Sequence, residues 1–375
     1  MTDKPVIVLG LGPAGLFLVR QLSNITSNIY AVGRPDDVGM YSKYIEKSKR
    51  YYAVTAIELE DAFKAIKKNA GKKPELYICS DQYLSILIEK KDRWDQLIEL
   101  AGADFDTLAL INDKNTINDY CQKHNVKIPS ALSLSEYREN PFFPAIIKWV
   151  EKRIETAVNP IGKVKVCRSR DEFETVDRAI QEGGIQDSEL FVQTYIEGKN
   201  DFQYSVGGYY QTGEVLADVV VNQIKQHPQG ISAEVVTISD GPVYDDLQRI
   251  TEGFAKELQY SGFLEMEYKV DSNTGEIYLL DVNPRPWGWV SILGTVYSDF
   301  YQVLDGNKPN AEFRNTVWKS PMRILTGKKN KQNVEPNGSL QGYLTAYDIK
   351  DKSDTKPSRM IYLMAVKKII RRVKG

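Results

Sequence analysis

Apolar residues run without a break from Val6 to Leu9. Similar short runs recur at Asn28–Val32 and at Glu75–Ser80, each followed by glycine, serine or aspartate and then a helix-period segment. Continuous apolar runs of this length, alternating with helices, predict buried parallel strands of an α/β unit. Farther along the period falls to two. From Phe263 to Val270, Leu264, Met266 and Tyr268 alternate with Glu265 and Glu267. Asp271-Ser272-Asn273-Thr274-Gly275 is turn chemistry, and Glu276 to Val282 reads as the return strand. Phe202–Tyr210 and Val215–Gln223, joined through Gln211-Thr212-Gly213-Glu214, predict a second antiparallel pair. An α/β unit followed by an α+β unit is the expected architecture.

A chain of 375 residues exceeds one compact core, so two or three packed units are expected. The 42% hydrophobic and 26% charged content fits a soluble globular protein, and a formal net charge of −1 excludes whole-surface nucleic-acid binding. Three cysteines, Cys79, Cys121 and Cys167, are too few and too scattered for a disulfide framework and suggest a reducing, cytoplasmic compartment. The start reads as neither a signal peptide nor a membrane span, and no apolar run approaches the ~20 residues a bilayer requires.

VLGLGPAGLFL at Val8–Leu18 has the form G-x-G-x-x-G after a strand. A dinucleotide site also needs an acidic residue at the end of the second strand, about twenty residues on. That strand instead ends in Gly33-Arg34-Pro35. Two readings stand. Arg34 meets the 2′-phosphate of NADP in an oxidoreductase, or the glycines serve close helix–strand packing in a Rossmann-like half-domain. Ser80 and Asp81 follow a strand, where open α/β sheets bind ligands, so both are candidates to line a substrate cleft. The competing reading of Asp81 is a cap on the helix Gln82–Glu89.

The hairpin carries more information. If the strands pair across a five-residue loop, Ser272–Glu276, Glu267 lies opposite Asp281. Glu265 and Asn283 then share that face. Carboxylate and amide oxygens on one sheet face suit Mg²⁺, which completes its shell with phosphates and water. The plain alternative is a solvated hairpin face, but Asn283-Pro284-Arg285-Pro286-Trp287-Gly288 is stiffer than such hairpins need.

A D-x-N pair followed by Pro-Arg, with an acidic residue fourteen positions upstream across a glycine-containing turn, resembles the ATP-grasp superfamily of carboxylate–amine ligases. The segments NPRPW and QTYIEG are most similar to its D-aspartate-ligase-like and carbamoyl-phosphate-synthase-like members. The resemblance covers most of residues 1–300. It implies a Rossmann-like pre-ATP-grasp domain over 1–105, a first lobe over 106–192, a second lobe with the metal site over 193–310, and an extension over 311–375. Gly12, Pro13, Ser80 and Asp81 would then bind substrate rather than a dinucleotide. It further implies ATP and Mg²⁺ as cofactors. Lys114 and Lys148 become phosphate contacts, Gln193, Tyr195 and Ile196 face the base, and Asp201 holds the ribose with Glu197 as competitor. Glu267, Asp281 and Asn283 hold the metal. Arg285 stabilises the transferring phosphoryl group, and His227, in the loop His227-Pro228-Gln229-Gly230, touches phosphate or the acyl intermediate. The implied reaction is amide or peptide bond formation through an acyl phosphate, from small-molecule carboxylate and amine substrates, with cell-wall or capsular glycan precursors among those of the subfamily.

Two departures stand out. The first carboxylate of the usual E-x-N pair is Asp281, one methylene shorter. The cover over the phosphates, Trp149–Lys165, holds only Gly162, so either Arg153 or Lys163 takes over neutralisation or turnover is impaired, leaving a degenerate ATP-binding protein. Beyond residue 300 the pattern fades into loops. From Lys356 onward there are seven basic residues and no acidic one. This amphipathic tail either rests on an anionic membrane surface at the inner face, within reach of a lipid-linked glycan, or docks on the body with a solvated basic face. On the membrane reading, Lys367, Lys368, Arg371 and Arg372 sit at headgroups.

Overall fold

The computed structural model describes residues 2–150, 161–162, 164–327, 330–336 and 338–364, with the Lys114 side chain outside that set. Its first element, Val6–Leu9, is the centre of a five-stranded parallel sheet. The strand order across it is Arg50–Tyr52, Ile29–Gly33, Val6–Leu9, Glu75–Ile78 and Glu99–Leu100. Val6, Ile7, Val8 and Leu9 are all buried, as expected of a strand covered on both faces. Helix Pro13–Leu22 packs Phe17 and Leu18 onto one side, and helix Ala56–Ala70 packs Leu59, Phe63 and Ile66 onto the other.

A small antiparallel sheet follows, in the order Ala131–Ser133, Leu190–Thr194, Ala145–Trp149 and Val164–Cys167. Helix Arg170–Glu182 covers it through Phe173, Val176 and Ile180.

The third sheet has seven strands, ordered Ile277–Asn283, Gly262–Val270, Gln203–Gln211, Glu214–Gln226, Ser232–Ile238, Thr316–Lys319 and Leu344–Tyr347. Its pairings are antiparallel except the last, which is parallel. The period-two pattern fixes which face goes where. Val206, Val220, Leu264, Met266 and Tyr268 lie under helix Pro242–Glu257, against Leu247, Ile250 and Phe254. The opposite face turns toward the parallel-sheet unit, where Phe263, Trp287 and Phe300 meet Phe17 in one continuous core. The acidic positions of the hairpin therefore line a boundary between two units. Residues 356–364 are helical, with Ile361 packed toward Leu16, Val38 and Ile349 and with Tyr362 and Leu363 exposed. The remaining tail, including Lys367, Lys368, Arg371 and Arg372, lies outside the described residues, as do Arg153 and Lys163. No described helix is long and apolar enough to cross a membrane. All three cysteines are buried and free.

On the large sheet, Asp218 illustrates what burial does to a charge. Burial and the neighbouring Glu252 push its carboxyl up to about 6 from an ordinary 3.8, and Gln248 Nε2 donates to it at 3.3 Å. A carboxyl whose folded pKa is raised supports the fold fully below the unfolded value and loses that support as pH climbs to the folded one. Discounting for its partial exposure, the charged form costs about 2 kcal/mol above pH 6. Asp218→Asn is expected to raise stability by about that amount at pH 7.5 and by almost nothing at pH 3.5, read as denaturant midpoints at both values. An equal gain at both pH values would show that the charge is not the cause.

Candidate active site

Strands Gly262–Val270 and Ile277–Asn283 pair so that Glu267 lies opposite Asp281 and Glu265 opposite Asn283. The expected pairing is reached by a different route. Val270 pairs with Ile277 across a six-residue connection, and a bulge then shifts the register so that Tyr268 faces Leu279 while Glu267 faces Asp281. The extra residue, Leu280, restores the parity that a five-residue loop would have supplied. Asp271 closes the turn, accepting from Asn273 N at 2.8 Å and Thr274 N at 3.1 Å.

On this face the carboxylates are held apart by amides. Asn283 Nδ2 donates to Glu265 Oε2 at 3.1 Å and to Glu267 Oε1 at 3.5 Å, and Gln203 Nε2 approaches Glu267 Oε2 at 3.5 Å. Glu265 and Asn283 are each 3% exposed, so the electrostatics here are those of a poorly solvated site. Among the described residues no three or more His, Cys, Asp or Glu side chains close a cage around an ion. Trp287 backs the face: a Cβ on Gly207, which pairs with Glu265, would fall 2.2 Å from the indole. Glycine at 207 is what admits the ring.

Arg285 follows directly. Its Nε and Nη2 grip both oxygens of Asp81, Nη1 donates to Pro286 O at 2.9 Å, and Nη2 also reaches Asn283 Oδ1 at 3.3 Å. Burial works against the guanidinium charge, but Asp81, Glu265 and Asp281 outweigh it and hold its pKa above the ordinary value. Its ion-pair partner is therefore Asp81, from the first unit, 204 positions away in the chain. Asp81 is the first residue of helix Asp81–Glu89, and Ser80 is the N-cap position, without a side-chain capping bond. Two residues selected separately from the sequence meet each other.

The glycine turn divides its roles. A Cβ on Gly15 would sit 2.1 Å from Gly10 O, so Gly15 is there for close helix–strand contact, whereas Gly12 faces open space beside Pro13, the first residue of the helix. Asp37 Oδ2 accepts from Leu11 N at 3.1 Å and Arg34 N at 3.0 Å, and Arg34 Nη2 donates to Gln82 Oε1 at 2.8 Å. A carboxylate of the protein already occupies a turn amide.

The nucleoside candidates cluster where the small sheet passes into the large one. Lys148 and Gln193 lie on neighbouring strands, with Ile146 opposite Gln193 and Lys148 opposite Phe191. Lys148, Ile146 and Gln193 share the face turned away from the small core, since Ala145, Ile147 and Val192 face inward. Tyr195 lies under the Arg168 guanidinium at 4.9 Å, and Ile196 is buried. Asp201 sits in the turn Asn200–Phe202, its carbonyl held by Asn222 Nδ2 at 2.7 Å. Gln193 Oε1 and Asp201 Oδ1 are buried with no hydrogen-bond donor among the described residues. Lys114 opens helix Lys114–Lys123 after its cap Asp113. His227 is in a tight loop closed by its own N–H to Ile231 O at 2.9 Å and packed against Gly327.

Several participants escaped the sequence reading. Gln203 and Lys269 lie on the acidic face in adjacent strands. Lys269 is buried, and burial pulls its ammonium down to about 8 against the charges of Asp201, Glu197 and Asp271. The signal was present, because 265, 267 and 269 share parity, but lysine in a strand reads as a solvated residue. Asn333 Oδ1 accepts from Asn200 Nδ2 and Gln226 N, tying a late segment to two site loops. Nothing local in the sequence marks that.

The site thus joins an acidic sheet face and a half-buried arginine at its end, with two oxygen acceptors, Gln193 Oε1 and Asp201 Oδ1, that lack a donor among the described residues. No family model matches the chain. D-aspartate ligase of Enterococcus faecium (strain Aus0004) is 22% identical over 227 residues, 57% of this chain and 54% of that protein. The carbamoyl phosphate synthase large chain of Methanothermobacter thermautotrophicus is 24% identical over 204 residues, 50% of this chain and 18% of that one. The match thus spans about half of the first relative's length and less of the second. An ADP complex of N5-carboxyaminoimidazole ribonucleotide synthetase superposes with a TM-score of 0.64 at 13% identity, covering 84% of this chain and 81% of that one. Together these likenesses point to the ATP-grasp superfamily.

Proposed function

We propose that the chain is an ATP-dependent ligase that joins a small-molecule carboxylate to an amine, releasing ADP and phosphate. The observation that carries this is the pairing of Glu267 with Asp281 and Glu265 with Asn283 on one face, with Arg285 at its end, in a fold shared with nucleotide-bound ligases.

The residues present fit both partners of the reaction. Two opposed carboxylates and an amide are hard oxygen donors of the kind Mg²⁺ takes alongside phosphate oxygens and water. A turn of the Asn283 amide presents its oxygen there in place of the nitrogen that now faces Glu265 and Glu267. Glu267, Asp281 and Asn283 would hold the ion, which supplies charge neutralisation and a template for the phosphates. Buried Gln193 Oε1 and Asp201 Oδ1 need donors, and an adenine amino group and ribose hydroxyls are donors of the right kind. Glu197 is the alternative ribose ligand. Lys148, with Lys114 at the head of its helix, would neutralise phosphate as point charges.

In this reading phosphorylation of the carboxylate gives an acyl phosphate, and the amine displaces phosphate from it. The protein's share is positioning and charge. Arg285 brings a fixed positive charge to the developing phosphoryl charge, and Asp81, which holds its Nε and Nη2, sets its orientation. The parallel-sheet unit is a Rossmann-like substrate domain. Gly12, Pro13, Ser80 and Asp81 border the acid, and His227 borders the acyl group. Cell-wall or capsular glycan precursors are the class of acid we favour, with the basic tail held near the inner membrane face.

The dinucleotide alternative fares worse, since Asp37 already takes the Leu11 amide and Gln82 engages Arg34. Mg-ATP at a hundred times its Kd is expected to add about 2.7 kcal/mol to stability, and ATP with EDTA markedly less. Phosphate release is expected with one pair from a panel of D- and L-amino acids as amines. Stabilisation by NADPH alone would overturn the ligase reading. Mg-ATP binding with no release across the panel would leave a degenerate ATP-binding protein.

A further inference from the structure

The hairpin that carries Glu267 and Asp281 also grips the connection between the small and large sheets. Lys269, two residues beyond Glu267 on the same face, is 8% exposed. Its Nζ donates to Gly198 O at 2.7 Å and Lys199 O at 2.5 Å. From the hairpin turn, Ser272 N donates to Glu197 O at 3.1 Å. Three successive carbonyls of the linker are thus bound by one hairpin. Tyr195 Oη adds a second donor to Gly198 O at 3.4 Å. The linker is shaped for this. Gly198 has φ +122°, and a Cβ there would fall 2.7 Å from Phe202 Cβ. Three residues beyond Gly198 comes Asp201, with its buried unpartnered Oδ1.

We propose that Lys269 is a positioning residue for nucleoside recognition. Its ammonium pins residues 198–199 to the acidic hairpin and so fixes the distance between the nucleoside loop and the face bearing Glu267 and Asp281. This rests on the ligase reading above and adds to it the part that sets base and ribose in register with the phosphates. An ammonium suits the task because it offers three donors from one point and can span two carbonyls. A methionine of similar length fills the space but takes the ammonium from Lys199 O and leaves Gly198 O only the Tyr195 hydroxyl.

The test compares ligands that do and do not use the loop. For Lys269→Met, Kd for Mg-ATP is expected to rise about 10- to 100-fold, as loss of two charge-assisted hydrogen bonds implies. Kd for magnesium tripolyphosphate, which lacks the nucleoside, should stay within about twofold, and kcat at saturating ATP within about threefold. The wild-type preference for ATP over 2′-deoxy-ATP should shrink toward unity, and Lys269→Arg should restore part of it. If Lys269→Met does not fold, Lys269→Gln, whose amide is uncharged and shorter, carries the same comparison. Equal losses for ATP and tripolyphosphate, or no loss for ATP, would overturn the proposal while leaving the ligase intact. Failure of the wild type to bind Mg-ATP would instead remove the ligase reading, and this one with it.

Discussion

Arg285→Met is expected to lower kcat for phosphate release by about 10²- to 10³-fold while changing Mg-ATP affinity by no more than about threefold. The split follows from where the guanidinium sits. It lies at the end of the acidic face, touching Asn283 Oδ1, rather than in the nucleoside cluster around Gln193 and Asp201. Charge it meets only as the phosphoryl group moves affects the rate and not ground-state binding. The competing account is structural, because Arg285 also ties the large sheet to the helix Asp81–Glu89. Asp81→Asn separates the two. It weakens the tie but leaves the guanidinium in place, so kcat should fall about tenfold or less while thermal stability falls as much as in Arg285→Met. Matching kcat losses in the two variants would assign the arginine to architecture.

How far such a site can be seen in a sequence depends on the range of the interactions that build it. Strand parity is local. Leu264, Met266 and Tyr268 on one side and Glu265 and Glu267 on the other follow from alternation alone, and the structure buries the first set. Cross-strand pairing is nearly local. Glu267 opposite Asp281 was legible, but the bulge at Leu280 was not, since no residue type demanded it. The contact of Arg285 with Asp81 spans 204 positions and depends on how two units pack, so each residue was visible and their partnership was not. The roles of Asp37 on the Leu11 amide and of Lys269 on the linker carbonyls were hidden for the same reason. The strands Thr316–Lys319 and Leu344–Tyr347 are four residues each, too short for a period to show, and they pair only because the large sheet offers an edge.

Asp354→Ala is expected to destabilise the protein by about 3–5 kcal/mol, the range found when one partner of a buried ion pair is removed. Asp354 is 1% exposed, and its carboxylate is shared by three donors from the first unit. Oδ2 accepts from Arg20 Nε at 3.2 Å and Ser42 Oγ at 2.8 Å, and Oδ1 from Lys43 N at 3.0 Å. Arg20 Nη2 reaches on to Ile349 O at 2.9 Å and Asp354 O at 3.1 Å, so one arginine clasps the late segment at two points. Alanine strips that set of its acceptor inside the protein, where water cannot replace it. Asp354→Asn keeps a carbonyl oxygen and should recover a part of the loss, whereas a surface control such as Glu60→Ala, whose carboxylate pairs with exposed Lys64 and Arg93, should change stability by less than about 1 kcal/mol, read from denaturant unfolding. A loss for Asp354→Ala no larger than that control would mean that the C-terminal strap is laid on the parallel-sheet unit without holding it. The predicted loss would instead make residues 349–354 part of that unit's own stability, although they lie more than three hundred positions from Arg20 in the chain.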